Sequence, residues 1–290
     1  SVNPQALAPF SCIYSSQVPE LLQKLNCSLA ISTYQAGKLV FISALDENKI
    51  VQLPRTFDKP MGIAHDHEND KLALACKDEV IVFSPYWVSY SEMVKLADGK
   101  SVLVQGAFDN NFKVTAEQFE AAITPKTKMV MFSSPNNPTG SVYSVEQVKA
   151  IGEWALKNNI WVISDEIYEH LIYGDAEFSS MPTLVPELAN QCVIVNGVAK
   201  TYAMTGWRVG WMVVPENHVR VIERLAQNMF ICAPHISQVT ALAAMDCHDE
   251  LRANMQVYTA NRQLMIEELP KAGLGAFAPP DGAFYTYIDV

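Results

Sequence analysis

The sequence predicts an α/β protein with a mostly parallel sheet flanked by helices, preceded by a short β-rich segment of different origin. Three observations predict it. From about residue 105, short apolar runs alternate with amphipathic helical patterns. Three polar clusters each stand just past the end of such an apolar run. The first eighty residues carry closely spaced strand-like runs with turn residues between them.

In the front part, Pro19 to Leu25 is the one helix-like piece. The strand-like runs are Leu29 to Gln35, Lys38 to Leu45, Ile50 to Leu53, Pro60 to His65, Lys71 to Cys76 and Glu79 to Phe83. Ala36-Gly37, Asp46-Glu47-Asn48 and Asp66 to Asp70 are the turns. This spacing predicts antiparallel sheet of the kind found in propeller blades. Further on, Thr115-Ala116-Glu117-Gln118 is a capping box that opens a helix through Ile123. Lys128 to Ser133 is a buried strand, and Ser144-Val145-Glu146-Gln147 is a second capping box. Val148, Ile151 and Ala155 follow at helical spacing. Ile160 to Ser164 and the run QCVIV return as strands, and a long helix is predicted over about Pro234 to Leu269. Alternating strands and helices imply parallel pairing with right-handed crossovers.

Charge and composition narrow the function classes. The formal net charge is −10 over 290 residues, which disfavours a nucleic-acid partner. No apolar run approaches a membrane span, and SVNPQALAPF lacks the features of a signal peptide. The six cysteines form no C-x-x-C pair, which predicts reduced thiols and a cytoplasmic protein. His65-Asp66-His67 and Cys247-His248 lack further ligands at suitable spacing, so no metal is expected.

The three polar clusters carry the chemistry. In an open parallel sheet, ligands bind at the carboxyl ends of strands, so the clusters converge on one edge. The segment NGVAKTYAMTGWRVGW sets Lys200 among small and apolar residues, with Arg208 shortly after. Desolvation disfavours the ammonium form and leaves a nucleophilic amine. An arginine's planar fork suits a phosphate. A lysine imine with a phosphate anchor is what pyridoxal phosphate requires. In Ser164 to His170, Asp165 can keep a pyridine nitrogen protonated. Asn137 in Ser134 to Gly140, together with Tyr168, offers hydrogen bonds to a phenolic oxygen. Trp87 in Ser84 to Tyr90 offers a flat face for stacking. Tyr202 and Trp207 read as core packing, and Arg220, Arg224, Arg252 and Arg262 as solvated helix positions.

Together these residues resemble the fold-type I pyridoxal-phosphate aminotransferases of class I/II, closest to the bacterial aspartate and aromatic branch. The resemblance covers about residues 78–290. It implies part of that family's large domain, with the start of a small domain in the closing run Gly282 to Val290. It implies pyridoxal 5′-phosphate as cofactor, with Lys200 as the imine lysine and Asp165 as the pyridinium partner. Asn137 and Tyr168 match the phenolic-oxygen ligands, Arg208 a phosphate ligand and Trp87 the stacking aromatic. Lys200, Asp165 and Tyr168 form the expected catalytic set. Ala199 stands where many relatives carry serine. Nothing in residues 1–77 matches the family's Gly/Ser-rich phosphate turn, and no residue here is carried onto its substrate-carboxylate arginine. The implied reaction is amino-group transfer between an L-amino acid, aspartate-like or aromatic, and a 2-oxo acid, by a homodimer.

The front part resembles a different, uncharacterised family through Ser32-Thr33-Tyr34-Gln35-Ala36-Gly37-Lys38-Leu39 and Phe57-Asp58-Lys59-Pro60-Met61-Gly62. The expected organisation is a β-rich segment over 1–83, a transferase large domain over 84–250, and a long helix with the start of a small domain over 251–290. An alternative is a chimeric or degenerate chain, with a non-catalytic β-rich binding module in front and no turnover; in the chimeric case two coding fragments are joined near Asp78-Glu79-Val80-Ile81-Val82.

Overall fold

A computed structural model describes residues 15–26, 28–33, 38–56, 62–66, 71–75 and 77–288. The chain divides into two units, Ser1–Lys77 and Asp78–Val290.

In the first unit, helix α1 (Val18–Lys24) has Pro19 in its first turn, where a missing N–H costs nothing. Strands β1 (Leu29–Thr33), β2 (Lys38–Ala44) and β3 (Ile50–Thr56) form an antiparallel meander in the order β1-β2-β3. Asn48 N–H donates to Asp46 Oδ1 at 2.8 Å, the local bond that turns β2 into β3. Leu22 of α1 packs on Val40 and Ile42 of β2, giving this unit a small core. Strands β4 (Gly62–Asp66) and β5 (Lys71–Ala75) pair as a separate antiparallel hairpin. The antiparallel reading therefore fits these strands. A four-stranded propeller blade is not seen among the described residues. Tyr34 to Gly37, Phe57 to Met61 and the cysteines at 12, 27 and 76 lie outside the described residues.

The second unit is built on one six-stranded sheet. Its strands are β6 (Glu79–Ser84), β7 (Lys100–Gln105), β8 (Thr127–Ser133), β9 (Trp161–Asp165), β10 (Cys192–Gly197) and β11 (Gly210–Val213). The order is β11-β10-β9-β8-β6-β7, parallel throughout except for antiparallel β11 at one edge. The crossovers carry helices α2 (Ser89–Leu96), α3 (Ala116–Ala122), α4 (Val145–Lys157) and the short α5 (Met181–Leu184). After β10 come the short α6 (Val198–Thr201), then α7 (Glu216–Met229), α8 (His235–Ala244) and α9 (His248–Glu268).

Strand periodicity explains the two-faced core. Ile81, Val130 and Val162 lie side by side in register and face Phe119, Val148, Ile151 and Ala155. Their successors Val82, Met131 and Ile163 face Tyr90 and Val94 of α2. Both faces are covered, as a parallel sheet requires. Each fully buried aliphatic side chain contributes about 1.5–3 kcal/mol. Both predicted capping boxes form, Thr115 with Gln118 and Ser144 with Gln147.

The long helix expected over Pro234 to Leu269 is instead two helices. Cys247 leaves helical geometry with ψ 57°, and His248 N–H turns back onto Asp246 O at 3.0 Å. Asp246 favours such a break because its side chain competes for nearby backbone groups. Asp249 and Glu250 then suit the first turn of α9, where the helix dipole favours negative charge. The closing run returns to the sheet side. Ala283 is buried against Tyr168 and Leu171, and Tyr173 Oη donates to Ala283 O. Arg262, read as solvated, is half-buried and donates through Nε to Pro280 O at 2.6 Å. Trp207, read as core, is exposed.

Candidate active site

All the predicted site residues except Arg208 sit just past or at the end of a parallel strand, and Arg208 stands two residues before antiparallel β11. Asp165 is the last residue of β9, and Glu166 N–H donates to Val195 O, holding the turn after β9 against β10. Tyr168 follows in that turn, only 2% exposed. Lys200 lies on α6, which begins directly after β10. Asn137 lies in the loop after β8. Asn136 Oδ1 fixes this loop by accepting from Thr139 N–H at 3.2 Å and Thr139 Oγ1 at 2.9 Å. Gly140 completes the loop at φ +71°, and a Cβ there would stand 2.5 Å from Pro280 Cβ. Trp87 precedes α2 and meets Tyr90 edge to face, with ring centroids 5.7 Å apart.

These side chains meet in one place. Trp87, Asn137, Asp165, Tyr168, Lys200 and Arg208 all line a single cavity of about 490 Å³. Lys200 Nζ stands 5.9 Å from the Tyr168 ring centroid and 5.5 Å from that of Phe284. Arg208 adopts φ 55° and donates through Nη1 to Thr205 O at 2.8 Å, which sets its guanidinium at the cavity wall.

The electrostatics follow from burial. Burial pushes the Asp165 carboxyl above the usual carboxylate range, against the opposing pull of Tyr90, Ile167 N–H and Lys200. Burial likewise raises the Tyr168 phenol, helped by the Tyr285 hydroxyl and opposed by the Asn137 side chain. Tyr90 is raised first by burial and then by the Asp165 charge. A half-buried carboxylate of this kind gains from a cation placed against it.

Two contributors escaped the reading of the sequence. Tyr90 Oη donates to Asp165 Oδ2 at 2.5 Å. Tyr285 Oη lies 2.7 Å from Tyr168 Oη. Tyr90 stands three residues after Trp87, so its place at the start of α2 was the available signal. Tyr285 lies in the closing aromatic run, and no local pattern ties it to Tyr168.

The family model for aminotransferase class I and II matches residues 68–290. This chain belongs to that family. Its aminotransferase part is 47% identical over 215 residues to the aspartate aminotransferase of Streptomyces avermitilis, covering 73% of this chain and 52% of that protein. A double mutant of the Thermus thermophilus aspartate aminotransferase has a similar structure, with TM-score 0.68 and 39% identity. That match covers 73% of this chain and 56% of the other. The aromatic aminotransferase of Pyrococcus horikoshii gives TM-score 0.71 at 31% identity, covering 74% and 58%. The chain spans about half the length of the curated aminotransferases it matches. Residues 16–108 also match a domain of unknown function, DUF4915.

Members of the aminotransferase class I and II family use pyridoxal phosphate. The residues present fit that group. The cavity offers a half-buried carboxylate, a primary amine, an exposed indole, a phenol, an amide and a guanidinium, the donor set that a phosphorylated pyridine aldehyde needs. Among the described residues, no helix is long and apolar enough to cross a membrane.

Proposed function

We propose that this chain binds pyridoxal 5′-phosphate in the Lys200 cavity and transfers amino groups between an L-amino acid and a 2-oxo acid. The amino acid is aspartate-like or aromatic, and 2-oxoglutarate is the expected acceptor. One observation carries the reading: Lys200 and Asp165 line one cavity from the ends of adjacent parallel strands, where Val195 of β10 pairs with Asp165 of β9.

When bound, the cofactor supplies an electron sink for a carbanion at the amino acid's α-carbon. Asp165, oriented by Tyr90, would hold a proton on the ring nitrogen. Asn137 and Tyr168 would hold the phenolic oxygen, Arg208 the phosphate and Trp87 the ring face. Lys200 Nζ would hold the aldehyde end and move protons at the amino acid's α-carbon.

The same reading proposes a cytoplasmic homodimer. Leu225, Met229, Phe230, Ile231 and Ile236 along α7 and the start of α8 are exposed, an apolar surface that a second copy would cover. A titration of the purified chain with pyridoxal 5′-phosphate tests the central step. The expected result is a shifted cofactor absorbance and, after borohydride, a covalent adduct on Lys200. Lys200→Ala abolishes both; an unchanged spectrum in that variant would overturn the assignment. Transfer from L-aspartate to 2-oxoglutarate then tests turnover.

A second reading draws on the overlap of the two family matches over residues 68–108 and on the division into two units. In it, two coding fragments of separate origin are joined, and the chain has no turnover. Sequencing genome and transcript across codons 70–90 decides: one continuous reading frame in both ends the idea.

A further inference from the structure

Asn196 lies one residue before Gly197 and four before Lys200, and its side chain is 7% exposed. Both ends of its amide are used. Nδ2 donates to Glu169 Oε1 at 2.7 Å, and Oδ1 accepts from Gly197 N–H at 2.7 Å. Gly197 N–H opens the turn that becomes α6, so Asn196 sets the start of the helix that carries Lys200. At the other end, Glu169 is the immediate neighbour of Tyr168. Its backbone N–H donates to Glu166 O at 3.0 Å, and Glu166 N–H donates to Val195 O at 2.9 Å. The turn after β9 and the end of β10 are thus joined twice, once through backbone and once through the Glu169–Asn196 bond. Tyr168 lines the cavity while Glu169 reaches Asn196.

We propose that Glu169 and Asn196 are a positioning pair that fixes the Lys200 amine against the Tyr168 phenol. The pair does not line the cavity; it acts through the residues on either side of it. This proposal rests on the pyridoxal-phosphate reading above for its consequence, and on the hydrogen bonds alone for its geometry. His170 Nε2 lies 3.4 Å from the same Glu169 oxygen, but His170 is half exposed at the surface and does not replace the buried donor.

Glu169→Ala, Glu169→Gln, Asn196→Ala and the double alanine variant test it in the full chain. Two readouts separate the levels. Amide hydrogen exchange over residues 197–202, without cofactor, reports the start of α6. The rate of borohydride-trapped pyridoxal 5′-phosphate adduct on Lys200 reports the amine's placement. A part-buried bond to a charged group accounts for roughly a tenfold change or more when one partner is removed. Glu169→Ala and Asn196→Ala should each speed exchange and slow trapping by about tenfold or more. The double variant should be no worse than Asn196→Ala, because that single variant already removes both the bond to Glu169 and the bond to Gly197 N–H. Glu169→Gln keeps an acceptor oxygen and should stay within about threefold of wild type. Glu169→Ala matching wild type in both readouts overturns the pair, and so does Glu169→Gln failing as badly as Glu169→Ala. If Asn196→Ala does not fold, the Ala and Gln variants at the half-buried Glu169 still decide. Altered exchange with no wild-type adduct on Lys200 sinks the cofactor reading and leaves the pair standing.

Discussion

The Tyr90 hydroxyl donates to Oδ2 of Asp165 at 2.5 Å, tying the start of α2 to the end of β9. Asp165 Oδ1 accepts from Ile167 N–H at 3.2 Å, so both oxygens of this half-buried carboxylate are engaged. Removing a hydrogen-bond partner of a half-buried charged group costs about 1–3 kcal/mol. Tyr90→Phe should destabilise the chain by that amount at pH 7 in urea unfolding without cofactor. In an Asp165→Asn background the same change should cost less, because the neutral amide needs the donor less. Equal costs in the two backgrounds would show that the hydroxyl serves packing and not the carboxylate.

Asp165 also gives the chain a pH signature. Its folded value is raised by burial, so the folded state holds the proton more tightly than the unfolded chain does. That contribution to stability is full below the ordinary carboxylate value, near pH 4, and is lost as pH rises through the raised value. Glu166 is raised in the same direction, also by burial. Relative to Asp165→Asn, the wild-type chain without cofactor should therefore lose melting temperature as pH rises from about 4 toward neutrality. Asp165→Asn should flatten the Asp165 share and keep the Glu166 share. A variant with the wild-type slope would contradict the assignment.

The capping boxes make a local prediction. Ser144 Oγ accepts from Gln147 N–H at 3.3 Å while Gln147 Oε1 accepts from Ser144 N–H at 3.0 Å. Helix α4 buries Val148, Ile151 and Ala155 in the main core, so fraying at its start is felt by the whole unit. Ser144→Ala should lower stability by about 1 kcal/mol, read as a shift in urea midpoint without a change in slope.

Those boxes were legible in the sequence because the chemistry is local: a hydroxyl, an amide and three residues between. The cavity residues were legible for a related reason. Asn137, Asp165 and Lys200 each follow an apolar run, and a parallel sheet brings such positions to one edge. The break between α8 and α9 was hidden because no Gly or Pro marks it, and the backbone leaves helical geometry at Cys247. Tyr285 was hidden because its partner Tyr168 lies 117 residues away and the meeting is set by tertiary packing. Asn196 and Glu169 were in the quoted motifs yet carried no role, since an Asn before Gly reads first as a turn.

Two glycines with similar backbone angles should respond differently to the same substitution. Gly140 has φ +71° and Gly174 has φ +62°, so alanine is strained at both by about 1–2 kcal/mol. At Gly174 nothing lies within 4 Å of the added Cβ, and the backbone term should be the whole effect. At Gly140 the Cβ would meet Pro280 Cβ at 2.5 Å and Gly282 O at 3.0 Å, and the Gly140 carbonyl already accepts from Asp281 and Gly282 N–H. The closing run must shift to admit it, adding about 1–3 kcal/mol of overpacking. Gly140→Ala should therefore unfold at clearly lower urea than Gly174→Ala. It should also weaken pyridoxal 5′-phosphate binding, because the same shift moves Tyr285 away from Tyr168 and disturbs the Asn137 loop. Equal midpoints for the two variants would mean that the closing run yields freely and does not brace the cavity.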